Sequence, residues 1–155
     1  MVEAPIYSAL TIADEVLRIA KRDGQSLTPM KLMKLTYIAH GWALGLLDRD
    51  LFKNRIEAWQ YGPVIPDLYH ATKVYGRSPI PLAKVDTNAA SQVDAQVSEL
   101  LAQVWRKYGH FDAIDLSNLT HKSGTPWDCV YEPGRRGIEI PDHLIKSHYR
   151  ELANA

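Results

Sequence analysis

Residues 28–47, TPMKLMKLTYIAHGWALGLL, decide the fold. Thr28 is a good N-cap, Pro29 is preset for the first helical position, and the stretch is apolar on nearly every side. At 100° per residue, Leu32, Leu35, Ile38, Ala39, Trp42 and Leu46 share one broad face, while Met33, Tyr37 and Leu44 take the far side. A helix apolar all round sits in the middle of a domain with others packed about it. Lys31 and Lys34 fall in its first two turns, where the helix dipole disfavours cations, so the spacing predicts a compensating acidic neighbour or partner. Gly41 and Gly45 lie on one stripe, and two absent side chains there let another backbone come close. The plain expectation is close packing by the first helix or by the long helix near residue 100. The sharper one is a groove for a partner segment.

Outward from that helix, residues 8–22 carry Ala9, Ile12, Ala13, Val16, Leu17 and Ala20 at helical spacing, with Gly24 as the stop. Residues 55–60 alternate as a short strand, and a lone strand needs a ladder partner, for which residues 137–140, GIEI, are the best candidate. The proline-rich 61–66 is a rigid turn, and a helix from Pro66 to Tyr75 follows with Leu68, Tyr69, Thr72 and Tyr75 inward. Residues 76–91 read as a mobile loop, within whose last part Asp86 or Thr87 caps a long amphipathic helix over 88–108. A helix over 112–122 precedes Thr125-Pro126-Trp127, which repeats the threonine–proline opening of the central helix. A short helical turn runs to Tyr131, residues 132–136, EPGRR, form an exposed basic turn, and Pro141 opens the last helix with Leu144, Ile145, Tyr149 and Leu152 inward. The expectation is a mainly α fold: a single-domain helical bundle over 1–155 with a minor two-strand pairing.

Bulk properties narrow the function. A chain of 155 residues buries about two-thirds of its unfolded surface, enough for a core without staples. Eighteen basic residues balance eighteen acidic ones, so no global field holds the protein on nucleic acid or an anionic membrane. Cys129 is the one cysteine and reads as an ordinary small apolar residue. With no secretory leader pattern and no apolar run of membrane-spanning length, the expected setting is the cytoplasm.

Six histidines invite a metal, yet none has ligand spacing: His143 and His148 are five apart, and no Cys-x-x-Cys or His-Glu-x-x-His occurs. No cofactor loop is present either. His121, Ser123 and Asp128 lie close in sequence, which is the sole support for an enzyme, a small hydrolase at most. Aromatic clustering is the stronger signal. Trp59, Tyr61, Tyr69 and Tyr75 crowd a proline-punctuated stretch, and such rings on stiff turns suit protein interfaces. Candidate partner contacts are therefore Lys31, Lys34, Trp59 and Tyr61, with Arg135 and Arg136 from the basic turn.

The run Lys31-Leu32-Met33-Lys34-Leu35-Thr36-Tyr37-Ile38-Ala39-His40-Gly41-Trp42, then Leu51-Phe52, then residues 56–66, IEAWQYGPVIP, resembles the Panacea domain, a family that includes SocA-like antitoxins and phage-associated relatives. The resemblance implies a mostly helical antitoxin domain that binds and neutralises a cognate toxin protein encoded nearby. In the SocA-like branch it further implies an adaptor that delivers the toxin to the ClpXP protease. The alternative within the family is a phage-associated regulator that binds a host protein. The family supplies no catalytic residues.

Overall fold

The computed structural model describes residues 4–82 and 91–155. Among them are seven α-helices: α1 (Ala9–Arg22), α2 (Pro29–Leu47), α3 (Pro66–Thr72), α4 (Ala95–Tyr108), α5 (Ala113–His121), α6 (Pro126–Val130) and α7 (Asp142–Ala153). A hairpin of β1 (Glu57–Trp59) and β2 (Gly62–Val64) lies between α2 and α3 in sequence. Helix α2 is buried without interruption from Leu32 to Leu44, as its all-round apolar composition requires. It is the axle of the bundle, with α7, α4, α5 and α1 packed about it. Leu46, placed with its apolar face in the sequence, is exposed near its end.

The capping chemistry is local and legible. Ser8 Oγ accepts from Thr11 N–H, and the two Thr-Pro starts behave alike: Thr28 Oγ1 accepts from Lys31 N–H and Thr125 Oγ1 from Asp128 N–H, each at 3.3 Å. Helix α4 is capped by Asp94. The expected cap at Asp86 or Thr87 lies outside the described residues, as does half of the stretch read as a mobile loop.

Gly41 and Gly45 do mark a close approach, but the helix that enters is α7, not α1 or α4. A Cβ at Gly41 would lie 2.2 Å from Tyr149 Cε2, and one at Gly45 would lie 3.0 Å from the Tyr149 carbonyl carbon. Tyr149 is buried against Trp42, ring centroids 5.1 Å apart, and edge-on to Tyr37. The other inward expectations for α7 divide: Ile145 is buried, Leu144 is half-buried and Leu152 is exposed. Cys129, read as an ordinary small apolar residue, is exposed.

The β pairing needs a correction. The ladder joins β1 to β2, antiparallel, with Glu57 opposite Val64 and Trp59 opposite Gly62. The expected partner at 137–140 is present on the other edge of β1 as a single bridge, Glu57 to Glu139, with Ala58 N–H donating to Ile138 O and Ile140 N–H to Ile56 O. Pro63 suggested a turn because it lacks an N–H, but it sits opposite Ala58, whose own N–H is spent on Ile138.

Three segments meet at one buried cation. Arg49 makes a two-pronged ion pair with Asp94, 2.6 and 3.1 Å, and also donates to Pro5 O and Gln96 Oε1. Tyr7 hydroxyl donates to the same carboxylate at 2.7 Å. This joint fastens the N-terminal segment and the start of α4 to the loop that leaves α2.

Candidate functional site

The hairpin turn is held from beneath. Lys34, 2% exposed, drives its ammonium up from α2 to donate to Tyr61 O at 3.0 Å and Pro63 O at 3.1 Å. Ser117 Oγ of α5 donates to the same Tyr61 carbonyl at 2.7 Å. Gly62 lies directly over the ammonium at φ +115°, where a Cβ would stand 2.8 Å from Nζ, so only glycine fits. The consequence is that Tyr61 projects outward, 62% exposed, from a backbone with little freedom.

Lys34 is therefore not a surface contact. It is a positioning residue, and its charge is met by carbonyl dipoles instead of the acidic neighbour that the sequence suggested. Burial pushes its ammonium down to about 7. Between that value and the ordinary 10.5 the unfolded chain holds a proton that the folded chain has shed, so this group adds stability as pH rises through the window and none below it. Wild-type denaturation midpoints are expected to climb from pH 7 toward about pH 9, by at most about 1.4 kcal/mol per unit from this group, and Lys34→Met is expected to flatten the climb. An unchanged slope in the variant would show that Lys34 keeps its full basicity.

Lys31 also turns away from the hairpin. Its Nζ donates to Gly109 O at 2.6 Å and sits 5.6 Å from the Trp105 ring. Its ammonium is lowered by burial and partly restored by Asp112, an acidic neighbour of the kind that the helix dipole called for.

Trp59 is half-buried, packed edge-on to Tyr69 at 4.9 Å with its Nε1 donating to Glu57 Oε1. Its carbonyl accepts from Trp127 Nε1 at 2.6 Å. Trp59 and Gln60 form a ridge between two open hollows. One, about 500 Å³, runs over Met30, Met33, Tyr61, Val64 and Tyr69 to Lys73 and Arg77. The other, about 470 Å³, runs toward Tyr131, Arg135 and Arg136. Thus Trp59, Tyr61, Arg135 and Arg136 share one face, whereas Lys31 lines neither hollow. Lys73 and Arg77, which the sequence reading passed over, join them as cations with no ion pair among the described residues. Glu57 is the one carboxylate lining either hollow, and it is occupied by Arg55 at 2.8 Å.

The chemistry elsewhere is structural in character. His121 Nδ1 meets Ser117 O, Asp128 Oδ2 accepts from Gly124 N–H, and no hydrogen bond links His121, Ser123 and Asp128 among the described residues. A group unseen in the sequence is His40, Asp50 and Asp142, whose ligand atoms lie within 4.8 Å of one another and could hold a metal ion. The three are spread over more than one hundred residues, so no spacing rule finds them. His40 Nε2 lies 3.0 Å from Asp142 Oδ1, and Lys53 Nζ lies 2.7 Å from Asp50 Oδ2. Burial and the proton shared with Asp142 raise Asp50; burial also raises Asp142, but hydrogen bonds from His40 and Asp50 outweigh it and hold that carboxyl at about 2. Lys53 is its cation, His40 Nδ1 and Asp50 Oδ1 are buried without a hydrogen-bond partner, and the His40–Asp142 contact pins the start of α7 to α2.

No helix among the described residues is long and apolar enough to cross a membrane. A family model described as antitoxin SocA-like, Panacea domain, matches residues 32–128. Antitoxin SocA of Caulobacter vibrioides (strain NA1000 / CB15N) is 31% identical over 133 residues, covering 78% of this chain and 71% of that protein. No solved structure gives a significant match.

Proposed function

The chain belongs to the SocA-like antitoxin, Panacea domain family, and from that premise we propose that it is a cytoplasmic antitoxin that binds and neutralises a toxin protein encoded beside it. The observation that carries the reading is the Tyr61 ring, exposed on a hairpin that Lys34 and Ser117 hold rigid, with a hollow on each side of the neighbouring Trp59 ridge. An exposed aromatic whose backbone is already fixed loses little entropy on binding, which is what an interface anchor requires. The cations that line the hollows, Lys73 and Arg77 on one side and Arg136 on the other, select an acidic partner surface, while Arg135 beside them is paired with Glu132 at 2.9 Å. Neutralisation is occlusion of the toxin, and handing it to the ClpXP protease is the SocA-like extension of the same role. No residue is assigned to catalysis.

Co-expression with the neighbouring gene product tests this. Wild-type chain is expected to relieve the growth arrest and to copurify with that product. Tyr61→Asp combined with Arg136→Glu is expected to weaken the complex by about 30-fold or more while leaving the helical circular dichroism unchanged. Arrest that persists with this chain in excess would sink the assignment. Copurification of a host protein instead would favour the regulator reading.

A further inference from the structure

The hollow of about 500 Å³ beside Tyr61 is walled by the first turns of α2, the hairpin and α3. Its apolar side chains face solvent: Met30 is 41% exposed and Tyr69 39%, with Tyr61 beside them and Met33 buried below. Methionine has three free rotations and a polarisable sulfur, so a wall of this kind moulds itself to irregular apolar side chains.

The charge of the hollow has one sign. Lys73 and Arg77 line it, and neither forms an ion pair among the described residues. Pro29 and Met30 bring the positive end of the 19-residue α2 to the same wall, and that helix has no acidic residue in its first turn. No described residue lining the hollow is acidic. A segment that settles here therefore gains by carrying carboxylates beside its apolar side chains.

The main chain of the hairpin, by contrast, is already engaged. Tyr61 O accepts from Lys34 and Ser117, Pro63 O from Lys34 and Trp59 O from Trp127, while Ile65 N–H is turned to Met33 Sδ. An extended segment would press its own amides against methionine and tyrosine with no ladder to join, and each amide so buried loses its hydrogen bond to water. A helix arrives with its main chain already paired, and lays its apolar face into such a groove.

We propose that this hollow is the docking site for an amphipathic helix of the toxin, whose apolar stripe covers Met30, Met33 and Tyr69 and whose flanking Asp or Glu residues meet Lys73 and Arg77. The inference rests on the antitoxin reading and deepens it, giving one of the two hollows to one kind of segment.

The test begins with the full chain carrying the photoreactive p-benzoyl-L-phenylalanine in place of Met30, co-expressed with the neighbouring gene product. The two are expected to copurify, and irradiation is expected to join position 30 to a segment of that product with apolar residues at helical spacing and carboxylates beside them. A synthetic peptide of that segment should then bind the wild-type chain at one per chain in calorimetric titration and gain helical circular dichroism on binding. Lys73→Glu with Arg77→Glu should weaken it about tenfold or more, and a peptide with lysine in place of its acidic residues should recover most of that loss against the double variant. Arg136→Glu, in the other hollow, should change the peptide's affinity by less than about twofold. A complex that copurifies but gives no cross-link from position 30 overturns the proposal and leaves the antitoxin reading standing. So does a cross-link to an extended or carboxylate-free segment or to a second copy of this chain, and so does a peptide held equally by the wild type and the double variant. Failure to form any complex removes the antitoxin reading, and this inference falls with it.

Discussion

Gly41→Leu is expected to unfold the bundle. The first added atom already lies 2.2 Å from Tyr149 Cε2 and 2.5 Å from Cδ2, well inside any van der Waals contact. Tyr149 cannot swing aside, because it is 4% exposed and its ring is braced by Trp42 and Tyr37. Backing α7 away is the remaining route, and the tightest seam of the central helix would open with it. Overpacking alone costs about 1–3 kcal/mol, and adding loss of that seam brings the expected destabilisation to about 5 kcal/mol or more, a third or more of a typical domain's stability. Urea unfolding followed by far-ultraviolet circular dichroism measures it. Pairing the change with Tyr149→Ala should restore part of the loss. A Gly41→Leu protein with the wild-type midpoint would mean that α7 does not seat on this stripe.

The second large effect belongs to Asp94→Ala. This carboxylate caps α4, with Oδ1 accepting from Val97 N–H at 3.2 Å, and it is the counter-charge of Arg49, which is 8% exposed. The cap is worth about 1 kcal/mol, and leaving a buried guanidinium without its partner costs about 3–5 kcal/mol, so the sum again threatens the fold. Arg49→Met in the same chain should recover much of it, since the stranded charge is then gone. The pH dependence has a definite sign. Hydrogen bonds from Arg49, opposed by burial and aided by Tyr7, hold Asp94 well below the usual carboxylate range. Its stabilisation is thus complete above about pH 4 and is lost as pH falls toward the folded value. Asp94→Asn should lower stability at neutral pH and shrink the loss on acidification, as measured by thermal melts between about pH 3 and pH 7.

Much of this architecture is local enough to read from residues alone. The uniform apolarity of 28–47 allows one place for that helix, and the Thr-Pro pairs mark two helix starts through hydrogen bonds spanning three residues. The glycine pair announces a close approach, but the identity of the visitor is a tertiary matter: α7 begins nearly one hundred residues after Gly45, and nothing local distinguishes it from α1 or α4. Lys34 misleads for the same reason. A lysine in a helix reads as solvated, yet here two carbonyls from a hairpin that itself defies proline's usual place provide its cage. Of the residues lining the two hollows, Trp59, Tyr61, Arg135 and Arg136 were visible as chemistry, whereas Lys73 and Arg77 became meaningful when the segment after α3 brought them to one of the hollows. The His40, Asp50 and Asp142 cluster left no trace in any spacing.

The hairpin carries one more consequence. Small sheets with open flanks recruit strands from other molecules, and that route leads both to docking by strand addition and to fibrils. Here the flanks are spoken for: residues 138–140 cover one side, Pro63 offers no amide on the other, its carbonyl faces Lys34, and Ile65 N–H is turned inward to Met33 Sδ at 3.2 Å. A visiting chain finds no main-chain ladder to extend. What this face leaves open to a neighbour is therefore side chains, Tyr61 foremost, and the same closed flanks remove a template for fibril growth.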